Sequence, residues 1–186
     1  MDFRDVLYGR RAVRAFTAEP VAEPLLRQLI EAAVQAPSAV NEQPWAFSVV
    51  RDPAVLDRIS TASKAHILAA PPAGLDRAFL HEVIENPDFD IFYHAPALIV
   101  ISSAPAGHWA VENCSLAAEN LMLAACAAGL GTCWIGLAQT WLGTTEGKAT
   151  LRIPQTALPV APIIVGHPES SPTPVPRKTP EIVWID

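Results

Sequence analysis

The sequence contains only three cysteines, Cys114, Cys126 and Cys133, and it has no C-x-x-C motif. An odd number of cysteines without paired spacing fits a reducing compartment and a protein without structural disulfides. We therefore expect a cytoplasmic protein whose cysteines are buried thiols. A nucleophilic Cys133 is the alternative, but no histidine or basic residue lies close to it in the sequence.

The sequence also has fewer positive than negative charges, and its formal net charge is −6 at pH 7. Nucleic-acid binding needs a basic face, so a nucleic-acid partner is not expected. The five histidines lack metal-ligand spacing such as H-x-x-x-H, and the motifs G-x-G-x-x-G and G-x-S-x-G and the P-loop are absent. The sequence therefore predicts neither a metal centre nor a serine hydrolase.

Long uninterrupted apolar runs are absent as well. The longest run, 116–138, contains Glu119, Asn120, Gly129 and Gly131, which predicts a buried helix followed by a loop rather than a membrane span. The first ten residues carry four charged side chains, which is not the pattern of a signal peptide. Hydrophobic residues still make up 51% of the chain. This excess favours a large core or, in our preferred interpretation, a surface buried in an oligomer.

Apolar spacing predicts alternating helices and strands in a single domain of residues 1–186. Residues 66–93 are irregular and are expected to form a long loop of the kind that carries substrate selectivity. The helix Val111–Ala128 is apolar nearly all round, so we expect it at the centre of the fold. Five further helices are predicted: residues 2–9, a helix from Val21 that ends at Pro37, a helix that begins at Asp52–Pro53, a short helix around Arg77–Ile84, and a helix at Glu146–Leu151. The predicted strands are Phe47–Val50, Ala97–Ile101, Thr132–Gly136 (as a strand or tight loop) and Ala161–Gly166.

The C-terminal residues differ in composition from the rest. Prolines between Pro168 and Pro180 exclude a helix or an inner strand, so residues 168–186 are expected to form an extended arm. The arm ends in Glu181–Ile185, which is rich in β-forming residues and has no partner nearby in the sequence. We predict that this strand pairs with another subunit, and a floppy terminus is the alternative.

Three arginines, Arg10, Arg11 and Arg14, follow the first predicted helix. Their spacing lets Arg10 and Arg14 converge on one phosphate, which guanidinium groups bind through paired hydrogen bonds. A solvated basic patch is the alternative interpretation. Arg177 and Lys178 form a second basic pair in the arm.

A rigid polar loop follows the second predicted helix between Pro37 and Pro44. Its side chains Ser38, Asn41 and Gln43 could hydrogen-bond the edge of a planar polar ring, and a simple capped turn is the alternative. A loop of this kind together with an arginine cluster points to a phosphorylated planar ligand. Gly136 would let its backbone N–H approach such a ligand closely.

Six segments, taken in order, resemble the nitroreductase family of FMN enzymes. They are Gly9–Phe16, Ala36–Trp45, Ala95–Val100, Glu119–Ala125, Gly129–Gly136 and Val165–Pro168 with Arg177. The resemblance implies an α+β, nitroreductase-like fold with a central, mostly antiparallel sheet flanked by helices. It also implies an obligate homodimer that exchanges its C-terminal strand between subunits and holds one FMN in each of two clefts at the interface.

The resemblance also assigns roles to individual residues. Arg10, Arg14 and Arg177 would hold the flavin phosphate, and Arg11 would contribute mainly through its backbone. Ala12 stands where the family has a serine, and Leu137 where many relatives have a second glycine. The polar loop would contact the flavin of the partner subunit through Pro37, Ser38, Ala39 and Asn41. One face of the isoalloxazine ring would lie along Trp134, Ile135 and Gly136, with the Gly136 N–H near flavin N5.

The implied activity is that of an FMN-dependent NAD(P)H oxidoreductase. A hydride would pass from NADH or NADPH to the flavin and then to a nitroaromatic, a quinone or a similar acceptor by a ping-pong mechanism, without a catalytic side chain. The alternatives are a non-catalytic flavin-binding or storage protein, and a family member specialised for dehalogenation or flavin fragmentation. The arginines argue against a structural dimer that has lost the flavin. No membrane partner is implied.

Overall fold

The computed structural model of the chain describes residues 2–72 and 74–185. Met1, Ala73 of the irregular stretch and Asp186 of the arm lie outside the described residues. The strands are β1 (Trp45–Val50), β2 (Ala97–Ser103), β3 (Gly131–Trp134) and β4 (Leu158–Gly166). The helices are α1 (Phe3–Gly9), α2 (Glu23–Ala33), α3 (Pro53–Ala69), α4 (Arg77–Phe79, continued by a π-helical turn Leu80–Ile84), α5 (Ala110–Ala127), α6 (Gly136–Leu142) and α7 (Thr145–Thr150), with a 3₁₀ turn at Ala39–Asn41.

The four strands form an antiparallel sheet in the order β1-β2-β4-β3. All seven residues of β2 are buried because helices cover both faces of the sheet. Leu98 and Val100 belong to one core, beneath α3 and α6, whereas Ile99 and Ile101 belong to a second core, beneath α2 and α5. This alternation follows the two-residue period of a strand. The predicted α+β class with an antiparallel sheet flanked by helices is confirmed.

The strongest local signals in the sequence also produce the expected helix ends. Asp52 caps α3 by accepting a hydrogen bond from the Ala54 N–H at 2.9 Å. Gly129 follows α5 with φ of 76°, and the Leu130 N–H returns to the Ala125 carbonyl at 2.8 Å. α5 packs against α2 and against β2, β3 and β4, so its predicted central position is confirmed.

Several boundaries predicted from the sequence were wrong, including the start of β4, which lies at Leu158 rather than Ala161. α2 ends at Ala33 rather than at Pro37: Val34 is its C-cap, and Pro37 disfavours the helical conformation only at Ala36, directly before it. α3 continues to Ala69, and its buried Ile67 extends the apolar face that Ile59 begins, so residues 66–69 are helical rather than irregular. Gly136 opens α6 instead of closing the strand, since Ala138, Trp141 and Leu142 bury their side chains at helical spacing.

The arm begins with backbone contacts to the N-terminal segment. Phe16 and Pro168 form an isolated bridge, and the Glu169 N–H donates to the Ala15 carbonyl at 3.1 Å. Residues 170–185 contain no helix or strand. The side chains of Trp184 and Ile185 are 81% and 92% exposed. The pairing of Glu181–Ile185 with another subunit therefore stays a prediction.

Within the part of the chain that the structure describes, no helix combines the length and the apolar character that crossing a membrane requires.

Candidate functional site

The arginine segment that follows α1 is attached to the edge of the sheet. Arg10 caps α1 in an extended conformation, so the chain leaves the helix at this residue. The Val13 N–H then donates to the Thr132 carbonyl at 2.9 Å, and Ala12 bridges Thr132 in parallel. Val13 is buried while Arg14 beside it is exposed. Because successive side chains of an extended backbone point to opposite sides, the burial of Val13 directs the neighbouring Arg14 guanidinium group outward.

The structure brings the arm next to this segment. One cavity of about 420 Å³ is lined by arginines from both ends of the chain: Arg10, Arg11, Arg14 and Arg177. We call it the arginine cavity. Its wall on the arm side also carries the hydroxyl groups of Ser170, Ser171 and Thr173. Arginines from two distant segments around one opening are an arrangement that can bind an anion with several oxygens.

The partners of these arginines decide how much positive charge the cavity keeps. Arg10 pairs with Glu119 on α5, at 3.4 Å between Nε and Oε1. The Arg11 Nη1 donates to the carbonyls of Tyr8 at 2.8 Å and of Arg10 at 2.7 Å, so this guanidinium is turned back onto the backbone. No carboxylate of residues 2–72 or 74–185 lies within ion-pair distance of Arg14 or Arg177. Both charges remain available to a ligand.

Cys133 on β3 lies beneath the same arginines. Burial raises the pKa of its thiol, and the positive charges of Arg14 and Arg10 oppose this effect without cancelling it. Burial raises the pKa of the Cys114 thiol to about 12. Both residues are therefore protonated near neutral pH, which supports the buried-thiol interpretation over the nucleophile.

The polar loop between Pro37 and Pro44 satisfies its own hydrogen bonds. Ser38 Oγ accepts from the Gln43 N–H at 3.0 Å, and Gln43 Nε2 donates to Asn41 Oδ1 at 2.8 Å. Val40, Asn41 and Gln43 have φ values of 44°, 57° and 48°, a strained conformation for residues other than glycine. Strain of this kind persists only where surrounding contacts hold the backbone.

Asn113 on α5 supplies one such contact, which the sequence analysis missed. Its Oδ1 accepts from the Ala39 N–H at 2.9 Å, its carbonyl accepts from the Trp45 indole at 3.0 Å, and its Nδ2 donates to Glu42. Asn113 is 2% exposed. An asparagine on the apolar side of a helix is the signal that could have found it, because a buried amide needs partners. Among the described residues, Pro37, Ser38, Ala39 and Asn41 do not line the arginine cavity.

Trp134, Ile135 and Gly136 occupy the turn from β3 into α6. The Ile135 N–H donates to the Pro162 carbonyl at 2.8 Å, which fixes the turn against β4. A Cβ at Gly136 would meet no described atom within 4 Å. Packing within this chain therefore does not require glycine there. Leu137 packs against the core beneath α3 and α6, so it points away from that open space.

The fold and the anion site at the edge of its sheet define an α+β protein of the nitroreductase type. The family model described as the nitroreductase family matches residues 7–167, and the chain belongs to this family.

Individual relatives agree with this membership. A nitroreductase from Bacteroides fragilis NCTC 9343, solved with bound FMN, has the same fold with a TM-score of 0.82 at 26% identity, over 100% of both chains. An NADH dehydrogenase of Thermus thermophilus is 39% identical over 47% of this chain and 44% of its own length. Iodotyrosine deiodinase 1 of Rattus norvegicus is 38% identical over 31% of this chain and 20% of its own length. The chain thus spans less than half the length of the curated relatives it matches.

Proposed function

We propose that this chain is an FMN-dependent oxidoreductase that passes electrons from NADH or NADPH to a nitroaromatic, a quinone or a similar acceptor. The observation that carries the proposal is the arginine cavity, which concentrates positive charge in a chain of net charge −6. Family membership and the FMN bound to the Bacteroides fragilis relative support it.

The residues around the cavity fit a phosphate monoester. Among the described residues, Arg14 and Arg177 lack a carboxylate partner, whereas Arg10 forms an ion pair with Glu119 on α5. Because the Arg11 guanidinium is occupied by backbone carbonyls, its contribution to a ligand is through the backbone. Ala12 offers no hydroxyl, but Ser170 and its neighbours on the arm bring hydroxyl donors to the same cavity. The site therefore keeps hydroxyl donors even though position 12 lacks the family's serine.

When bound, FMN supplies the acceptor for a hydride from the nicotinamide and the carrier for its electrons to the second substrate. The chain holds and orients this cofactor. The planar guanidinium groups of its arginines match the geometry of phosphate oxygens, so they hold the phosphate end. We assign Trp134, Ile135 and Gly136 to the wall beside the ring system, because the open space at Gly136 admits a flat ligand. No side chain of this chain is assigned proton transfer.

We further propose that the protein is a homodimer with the flavin between subunits. In this dimer Pro37, Ser38, Ala39 and Asn41, which lie outside the arginine cavity of their own chain, would contact the flavin bound by the partner subunit. Large apolar side chains are exposed on three elements: Phe3 and Tyr8 on α1, Val111 and Leu116 on α5, and Ile182, Val183, Trp184 and Ile185 on the arm. Burial of such a surface would stabilise association.

A cytoplasmic location is part of the same proposal. All three cysteines are free thiols, and each is buried or half-buried. Free thiols persist in reducing compartments.

The experiment that tests the function is a visible spectrum of the purified protein, recorded before and after anaerobic addition of NADH and of NADPH. We expect the absorption of bound flavin, and we expect it to bleach with one or both donors. Bound flavin that stays oxidised with both donors would support a flavin-binding or storage protein instead. A protein that takes up no flavin on incubation with FMN would refute the proposal.

A further inference from the structure

A strained turn precedes β2 and lies beside the arginine cavity. Two consecutive residues other than glycine, Tyr93 and His94, adopt the left-handed conformation, with φ of 53° and 56°. Each such residue is energetically unfavourable, and two in succession require contacts that hold them. Strain of this kind concentrates at binding sites.

Asp90 holds the turn. Its carboxylate accepts hydrogen bonds from the Phe92 N–H at 3.0 Å and from the His94 N–H at 2.8 Å, and its carbonyl accepts from the Tyr93 N–H at 3.0 Å. Phe92 is fully buried and anchors the segment in the core. The conformation of Tyr93 is thus fixed from both sides along the chain.

The Tyr93 ring is fixed through its neighbours as well. It packs edge-on against Phe89, with ring centres 5.8 Å apart and planes at 81°. The backbone carbonyl of Phe89 accepts a hydrogen bond from Lys64 Nζ on α3 at 2.8 Å. A ring held in this way presents a constant surface to whatever contacts it.

That surface faces Arg14. The guanidinium carbon of Arg14 lies 5.9 Å from the centre of the Tyr93 ring, within the range of a cation–π contact. Arg14 is exposed and has no carboxylate partner among the described residues, so few other contacts restrict its long side chain. Arg10, by contrast, is held by Glu119.

We propose that Tyr93 is a positioning residue for Arg14, fixing its guanidinium for the phosphate of FMN. The inference rests on the proposed function, because it takes that phosphate as the ligand of the arginine cavity. Through Tyr93, the irregular middle of the chain contributes to cofactor binding without contacting the flavin itself. The aromatic ring carries this role, and the hydroxyl group is dispensable for it.

The test compares FMN with riboflavin, which has the same ring system and no phosphate. Equilibrium dialysis of the full chain gives the dissociation constant of each flavin for the wild type, Tyr93→Leu, Tyr93→Phe, Arg14→Ala and Arg14→Ala/Tyr93→Leu. We expect Tyr93→Leu to weaken FMN binding by about three- to tenfold and to leave riboflavin binding unchanged. Tyr93→Phe should bind FMN within about twofold of the wild type. Tyr93→Leu should have no further effect when Arg14 is already alanine.

Each contrary outcome has a distinct meaning. Equal loss of FMN and riboflavin affinity in Tyr93→Leu would show a merely structural role and overturn the inference, and thermal melting of that variant reveals any loss of folding. Unchanged FMN binding in Tyr93→Leu, with weakened binding in Arg14→Ala, would overturn the inference and leave the phosphate site standing. Unchanged FMN binding in Arg14→Ala would overturn the phosphate site and the inference together.

Discussion

Gly131 at the start of β3 lies so close to Val13 that a Cβ at position 131 would be 2.8 Å from the Val13 Cβ. This close approach lets the Val13 N–H reach the Thr132 carbonyl and keeps the arginine segment on the sheet. The glycine is required here for space, since its φ is not positive.

We predict that Gly131→Ala destabilises the protein by about 1–3 kcal/mol, because an extra methyl group in a packed contact forces the backbone apart. It should also weaken FMN binding, since Arg14 moves with Val13. Urea unfolding and FMN dialysis measure the two effects. Gly9→Ala is the matched control, because a Cβ at Gly9 would meet no described atom within 4 Å. Equal stability of the two variants would contradict the packing argument.

The arginine cavity yields a second prediction. Arg14→Ala and Arg177→Ala should each weaken FMN binding by about 1–3 kcal/mol, the range for a hydrogen bond to a charged group. Lys178→Ala is the control, since Lys178 neighbours Arg177 but is not among the residues that line the cavity. FMN retention after dialysis is the measurement. If Lys178→Ala lost flavin as readily as Arg177→Ala, a general effect of surface charge would replace the specific site.

The exposed end of the arm yields a third prediction. Trp184 is 81% exposed within one chain, and in the proposed dimer we expect it to be buried. Trp184→Ser should raise the dissociation constant of the dimer at least about tenfold, because aromatic residues dominate interface energies. Sedimentation equilibrium gives that constant. Leu68→Ser on α3 serves as control and should leave it unchanged, and a wild type that is monomeric at all concentrations would refute the arm's proposed role.

From the raised pKa of the Cys114 thiol we predict that the stability of the protein depends on pH. Burial raises the pKa of its thiol to about 12, above its ordinary value near 9. Between these values the folded state keeps the proton that the unfolded state releases, so the free energy of unfolding should fall as pH rises. Urea unfolding at pH 8, 9 and 10 should show a decline that is smaller in Cys114→Ala. Cys126→Ala, which retains Cys114, should keep the wild-type decline. Parallel pH profiles for all three proteins would exclude this origin.

Much of the fold followed from local sequence. The apolar run Ala97–Ile101 predicted a buried strand, and Asp52–Pro53 and Gly129 marked helix ends, because capping and strand burial depend on neighbouring residues. The arginines after α1 were visible for the same reason. α6 escaped notice because its helical pattern is short and follows a strand directly.

The candidate site depended more on tertiary structure. The spacing of Arg10 and Arg14 suggested a phosphate site, but Arg177 was added to it only through resemblance to a family. The sequence offered no physical reason for the two ends of the chain to meet. Asn113 beneath the polar loop and Tyr93 beside Arg14 went unnoticed, since each acts on residues that are more than seventy positions away.

The sequence by itself thus determined most of the helices and strands, which faces are apolar and where positive charge is concentrated, because these properties arise from neighbours along the chain. The tertiary structure decided that Arg177 joins the N-terminal arginines and that a strained turn sets Tyr93 against one of them. The physical reason is that these residues meet through backbone pairing between distant parts of the chain, such as the Phe16–Pro168 bridge and the bond from the Glu169 N–H to the Ala15 carbonyl, rather than through any local propensity.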